Sequence, residues 1–203
     1  MKSFSKISVL TLVLAFFAFQ AIALSGSWEL AKEKNGIKVY TRTSASSSLK
    51  DSKATVRLEA NSDRVIELLN DFDNYPKWMY KCTAGKMLKK VSDTEFYVYT
   101  VIDSPWPVAD RDLISHVTAT EKSDGTIILD MKGAADYVPK KDGMVRITEF
   151  SGFWKITPAS NGTVDLVYQF HTDPGGSIPD WLANTAVVTV PYGTLYNLKK
   201  ALL

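Results

Sequence analysis

Between Lys86 and Thr172 strand-length runs follow one another with Pro, Gly and Asn-Gly between them, and helical spacing returns only from Ser177. The runs are Lys86 to Val91, Glu95 to Asp103, Asp110 to Glu121 and Thr126 to Gly133, then Met144 to Ile156 and Thr163 to Thr172 joined around Asn161-Gly162. Ahead of them, two runs meet across Asn35-Gly36, a strong hairpin signal, and Leu49 to Ala60 alternates as a further strand. Asn61-Ser62-Asp63 offers caps for a helix through Val65, Ile66, Leu68, Leu69 and Phe72, which Asn74-Tyr75-Pro76 interrupts. Ser177 and Asp180 are spaced as a capping box for the terminal helix, with Pro179 in its first turn. Hairpin, strand, helix, strand ladder and long terminal helix in that order predict an α+β fold with helices on one face of a curved antiparallel sheet.

The first 23 residues are a different kind of segment. Lys2 and Lys6 precede an uncharged stretch from Ile7 to Ala23, and Ala21-Ile22-Ala23 has the small-x-small form that a signal peptidase cuts. A signal peptide over 1–23 and one domain over 24–203 are therefore expected, with export to the periplasm or beyond. Setting aside those two lysines, the domain carries 22 basic against 22 acidic residues. That balance argues against a nucleic-acid partner and leaves only local, transient contact with a membrane. Cys82 is the only cysteine, so no intrachain disulfide forms and stability must come from the core. A reactive role for its thiol would need a neighbouring base, and His116 and His171 lie far away in sequence.

A curved sheet touched by one long helix leaves space on its concave side, and apolar walls with a few polar groups make such space a ligand site. The sequence holds suitable residues in Trp78, Met79, Tyr99, Trp106, Met131, Phe150, Trp154, Tyr168, Phe170 and Trp181, which also suit an ordinary core. In the run from Met144, Arg146, Thr148 and Phe150 alternate onto one face, assigned here to the cavity. An enclosed Arg146 serves either to orient a ligand carboxylate, phosphate or carbonyl, or to pair with an acid such as Asp112; the pattern leaves both open. In the terminal helix Leu182, Thr185, Thr189, Tyr192 and Tyr196 form a stripe assigned to the cavity side. Pro191, followed by Gly193, predicts a kink, either a static bend or a weakness that lets the helix swing.

The segment Ser104-Pro105-Trp106-Pro107-Val108-Ala109-Asp110-Arg111-Asp112 resembles the Pro-x-x-x-x-Arg-Asp element of START domains, the steroidogenic-acute-regulatory-related lipid-transfer family. Asp73 to Trp78, Val145-Arg146-Ile147 through Ser151-Gly152 and Trp154, and Asp173-Pro174-Gly175-Gly176-Ser177-Ile178-Pro179-Asp180-Trp181 resemble further family segments, in the family's order. The resemblance runs from Trp28 to Leu203 and implies a helix-grip fold, START or Bet v 1-like, with a lipid in an internal tunnel. It leaves the lipid open; with no catalytic motif in the chain, the expectation is a non-catalytic monomer, with no cofactor implied, that carries or senses one hydrophobic ligand. Sterol-binding members commonly place an Arg a few positions after the Arg-Asp element; here Leu113-Ile114-Ser115-His116-Val117 holds none. The leader resembles that of an exported bacterial START-like protein.

The expected ligand wall is Trp78, Tyr99, Trp106, Arg111, Met131, Arg146, Thr148, Phe150, Tyr168, Phe170, Leu182, Thr185, Thr189 and Tyr192. Two other classes compete with a carrier. A cyclase, aromatase or hydrolase on the same fold would need an acid–base pair, for which His116 and His171 are the candidates. An interaction module would have a filled interior instead of a cavity.

Overall fold

A computed structural model describes residues 26–44 and 48–203; the expected signal peptide at 1–23 lies outside the described residues. The strands are β1 (Glu29–Lys34), β2 (Ile37–Thr43), β3 (Lys50–Leu58), β4 (Cys82–Lys90), β5 (Glu95–Ile102), β6 (Asp110–Glu121), β7 (Ile127–Gly133), β8 (Met144–Arg146), β9 (Glu149–Pro158) and β10 (Val164–Asp173). The helices are α1 (Ser62–Asn70), α2 (Tyr75–Trp78) and α3 (Asp180–Ala201). Strand order across the single sheet is β1-β2-β3-β10-β9-β7-β6-β5-β4, and β8 lies off that path beside β6. The pairs along the path are antiparallel, and β6 with β8 is parallel. This is the α+β arrangement expected from the order of elements, a curved sheet gripping a long C-terminal helix.

Alternation decides which side chains meet the helix. Val39, Ala54, Val56, Leu166, Ile156 and Leu129 share the inner face and are buried with Leu195 and Leu198 of α3. The C-terminal half of α3 thus sits on filled core. A smaller cluster of Tyr99, Val101 and Ile114 occupies the outer face of β5 and β6, packed against Ala134, Val138 and Met144.

Two local readings differ from the structure, and a third, the cap of α1, agrees with it. The Met144 to Ile156 run is broken into β8 and β9, because β7 pairs with β6 only as far as Ser115 and Gly133. That leaves the Asp110–Asp112 stretch of β6 for β8 to occupy. The capping box does not start α3: the helix begins at Asp180, and Pro179 in its N-cap position has extended geometry (φ −58°, ψ 135°). Asn61 does cap α1, its side chain accepting from the Arg64 N–H at 3.0 Å.

Pro191 lies inside α3, and the helix runs through it from Asp180 to Ala201. Having no N–H, Pro191 leaves the Val187 carbonyl without its helical partner. The Ser52 hydroxyl on β3 donates to that oxygen at 2.6 Å, and Ser52 is fully buried. The broken helical bond is thereby replaced by a bond from the sheet to the helix. Ser52→Ala is expected to lower stability by about 1–3 kcal/mol in urea denaturation, the cost of stranding a buried carbonyl. A change below a few tenths would mean that Val187 finds another donor.

Candidate functional site

The N-terminal half of α3 does not sit on filled core. Beneath it a cavity of about 350 Å³ is bounded by Leu182, Ala183, Val187 and Val190 of the helix, by Phe96 and Val98 of β5, and by Leu113 and Val117 of β6. Leu129 and Met131 of β7, Phe150 and Trp154 of β9, and Tyr168 and Phe170 of β10 complete the sheet side. Leu69, Phe72, Tyr75 and Met79 close it from the α1–α2 segment. Rings stack along the sheet wall: Trp154 on Tyr168 at 3.9 Å, and Phe170 beside Tyr168 at 5.0 Å between centroids. Burial pushes the Tyr168 and Tyr75 phenols well above their ordinary range, so both remain neutral.

The polar groups on this wall are mostly spoken for. Thr185 and Thr189 donate to the Trp181 and Thr185 carbonyls one turn back, at 2.7 and 3.0 Å. Lys81 is paired with Asp103. The Cys82 thiol contacts the Ala84 carbonyl at 3.2 Å, and burial raises its pKa, which disfavours a nucleophilic thiolate. Among the described residues, no histidine lines the cavity. His116 bonds Glu95 at 2.7 Å and stacks on Tyr97, and His171 bonds Asp51 at 2.8 Å. His171 and Asp51 belong to a second, polar depression of about 500 Å³ on the outer face, with Arg42 and Lys132. No cluster of His, Cys, Asp and Glu suited to a metal occurs among the described residues.

Of the expected wall, the structure brings Arg111, Met131, Phe150, Tyr168, Phe170, Leu182, Thr185 and Thr189 together around this cavity. The others lie elsewhere. Trp78 is buried behind the wall against Tyr75, its indole N–H without a partner. Tyr99 points to the outer face, toward the Met144 sulfur at 3.7 Å. Trp106 is 93% exposed. Thr148 is exposed in the gap between β8 and β9. Tyr192 accepts from Asn35 at 2.9 Å and stacks on Tyr196, turned toward the β1–β2 hairpin.

Of the two roles left open for Arg146, the structure shows the pairing with Asp112, and the cavity face assigned to Arg146 is corrected. Arg146 is buried on the outer side of β6, where its Nε and Nη2 donate to the two Asp112 carboxylate oxygens, both at 2.8 Å. Its remaining donors reach the Ala135, Val138 and Pro139 carbonyls and pin the 134–139 segment over the outer cluster. The guanidinium holds the Asp112 carboxyl below the ordinary carboxylate range. The face assignment fails because the chain breaks at Ile147 and Thr148: Ile147 lines the cavity, and so does Phe150 three residues on, which alternation within one strand forbids.

Adjacent residues on a strand face opposite ways. Arg111 therefore enters the cavity wall while Asp112 turns outward to Arg146, and this gives the Arg-Asp pair its physical sense. The START domain profile matches residues 19–191 of this chain. The chain belongs to the START domain family. Among relatives by sequence, an uncharacterized protein of Pseudomonas aeruginosa is 37% identical over 190 residues, covering 94% of both chains. A crystal structure of a STAR-related lipid transfer protein from Xanthomonas axonopodis superposes with a TM-score of 0.81 at 42% identity, covering 86% of this chain and 98% of that one. The phosphatidylcholine transfer protein of Bos taurus is 29% identical, over 90% of this chain and 87% of its own.

Lining residues that sequence reading missed include Ile147, Leu113, Val117 and, from the α1–α2 segment, Leu69, Phe72 and Tyr75, whereas Met79 was among the residues named as suited to the wall. Strand parity could have found Leu113 and Val117, since they alternate with Arg111. The α1–α2 group has no such signal, because its place over the cavity depends on where the short helices fold back on β4.

Proposed function

We propose that this START domain binds one hydrophobic molecule, a lipid, in its internal cavity and carries or senses it without changing it chemically. The observation that carries the reading is the void beneath the N-terminal half of α3, which lies within the size range of small-molecule sites and is walled mainly by aliphatic and aromatic side chains. The relatives named for phosphatidylcholine and STAR-related lipid transfer support a lipid as its occupant. Apolar burial drives binding, at about 25 cal/mol per Å² less the cost of fixing the ligand. The placement of both histidines away from the cavity supports a binder over a cyclase or hydrolase. Mass spectrometry of organic extracts of the purified protein should recover one stoichiometric lipid. Repeatedly empty extracts, with no uptake from lipid vesicles, would refute the reading.

Loading from a membrane also belongs to the proposal. Trp106 is 93% and Trp181 69% exposed, and each sits beside cavity-lining residues, Pro105 and Val108 for the first and Leu182 for the second. Amphipathic rings at such a rim favour the headgroup zone of a bilayer. The Trp106→Ala, Trp181→Ala double variant should partition onto phosphatidylcholine vesicles about tenfold less, with unchanged thermal unfolding. Equal partitioning would remove the tryptophans from the docking surface. Among the described residues no helix is long and apolar enough to cross a membrane. Export rests on the leader, and a chain recovered outside the cytoplasm should begin at Leu24.

A further inference from the structure

The cavity wall contains one polar corner, where β6 meets the loop between β10 and α3. Arg111 is only 4% exposed there. Its three bonds go to backbone carbonyls: Nη1 to Ala109, Nε to Pro174 at 3.3 Å and Nη2 to Gly175 at 3.1 Å. A guanidinium has five N–H groups, so two are left over. Among the described residues no carboxylate pairs with it. The two nearby acids are engaged elsewhere, Asp110 by the Ser104 N–H at 3.0 Å and Asp173 by the Gly175 N–H at 2.8 Å. Neutral carbonyls hold the cation in place, and Asp110 acts on its charge without forming an ion pair, an arrangement that is costly in an enclosed site.

A second, independent feature marks the same corner. Thr172 lines the cavity two residues before Pro174, and its hydroxyl is buried with no hydrogen-bond partner. Unsatisfied buried hydroxyls are rare in native structures and call for an explanation. The contrast with Arg146 is instructive, because that guanidinium has a carboxylate bound through two oxygens and a full set of partners. At Arg111 the carboxylate's place is open, and it opens onto the ligand space.

We infer that Arg111 and Thr172 form a receptor for the anionic head of the cavity ligand, so that the protein selects a single amphiphile ending in a phosphate or carboxylate over neutral lipids. The inference rests on the cavity being a ligand site. Two oxygens of the head would replace the missing carboxylate on the spare guanidinium donors, and a third would accept from the Thr172 hydroxyl. The tail would run along Phe170, Tyr168 and Trp154. Burial also lowers the pKa of the Arg111 guanidinium, against a raising effect of Asp110, consistent with a cation short of counter-charge.

The test compares oleoyl lysophosphatidate with monooleoylglycerol, which share a chain and differ by the phosphate, using calorimetry on the purified protein. The phosphorylated probe should bind about tenfold tighter or more, as charge-assisted hydrogen bonds in an enclosed site imply. Thr172→Val should reduce that preference severalfold, and Arg111→Met should abolish it, each read as the ratio of the two affinities in the same variant. Equal affinities in the unmodified protein would overturn the inference and leave the cavity reading intact. Failure of both probes to bind would overturn the cavity reading and this inference with it. Inorganic phosphate at millimolar concentration should bind negligibly by itself; if it competes fully with lysophosphatidate, the corner is a free-anion site and the headgroup assignment falls. Arg111→Met losing both probes while Thr172→Val keeps the full preference would reduce Arg111 to a fastener of the loop.

Discussion

Asp112→Ala is expected to cost about 3–5 kcal/mol of stability, because it leaves Arg146 charged and buried with no carboxylate. Both side chains of the pair are only 1% exposed, and the bidentate geometry is the strong form of this interaction. The change should also release the 134–139 segment, whose carbonyls depend on the same guanidinium. Replacing both partners, Asp112→Leu with Arg146→Met, should cost markedly less than the single change, since no buried charge remains. Urea denaturation of the three proteins checks this, and a single-variant loss under about 1 kcal/mol would show that water reaches the pair.

The same pair sets a pH dependence. The folded-state pKa of Asp112 lies below the ordinary unfolded value near 3.9, so its contribution is complete above that value. It fades as the pH falls through the lower folded pKa. Acid unfolding should therefore be steeper below about pH 4 in the native protein than in the double variant.

Gly85→Ala should be comparably damaging, about 3 kcal/mol or more, for a steric reason. A methyl group at Gly85 would lie 2.2 Å from the Phe72 carbonyl oxygen and 3.0 Å from the Tyr75 Cβ. Backbone cannot swing aside as a side-chain tip can, so the Phe72–Tyr75 segment would have to lift off β4. Phe72 and Tyr75 both line the cavity, so the variant should lose lipid capture along with stability. Gly193→Ala is the informative comparison: its methyl group would meet the Tyr80 ring at 2.5 Å, and Tyr80 is 36% exposed. The obstacle there is a partly exposed side chain instead of backbone, so the cost should be smaller, although the Tyr80 Cβ at 3.0 Å requires the whole side chain to shift. A Gly85→Ala protein with native stability would mean that the α1–α2 segment does not rest on the strand as described.

Much of the ladder was legible before any coordinates. β6 from Asp110 to Glu121 and the pairing of Thr163 to Thr172 with the run before it follow from alternation and the Asn161-Gly162 turn. The aromatic wall of Phe150, Tyr168 and Phe170 was named from residue type, and the structure places all three on the cavity. Errors gathered where a residue's environment depends on something distant. Trp106 reads as core by residue type, yet it stands in solvent beside wall residues because its loop reaches the rim. Tyr192 fits a helical stripe with Leu182 and Thr189, yet α3 passes from cavity to hairpin before reaching it. Pro191 signals a lost helical bond, and only the arrival of Ser52 from β3 shows how it is made good.

The succession of hairpin, strand, helix, strand ladder and terminal helix was settled by the sequence alone, and the opposite facing of Arg111 and Asp112 follows from a period of two that is local to each strand. Which guanidinium meets the ligand space was settled by the tertiary structure. The short break after Arg146 resets the alternation, so no pattern carried across it could show that Arg146 turns outward to Asp112 and leaves Arg111 facing the cavity.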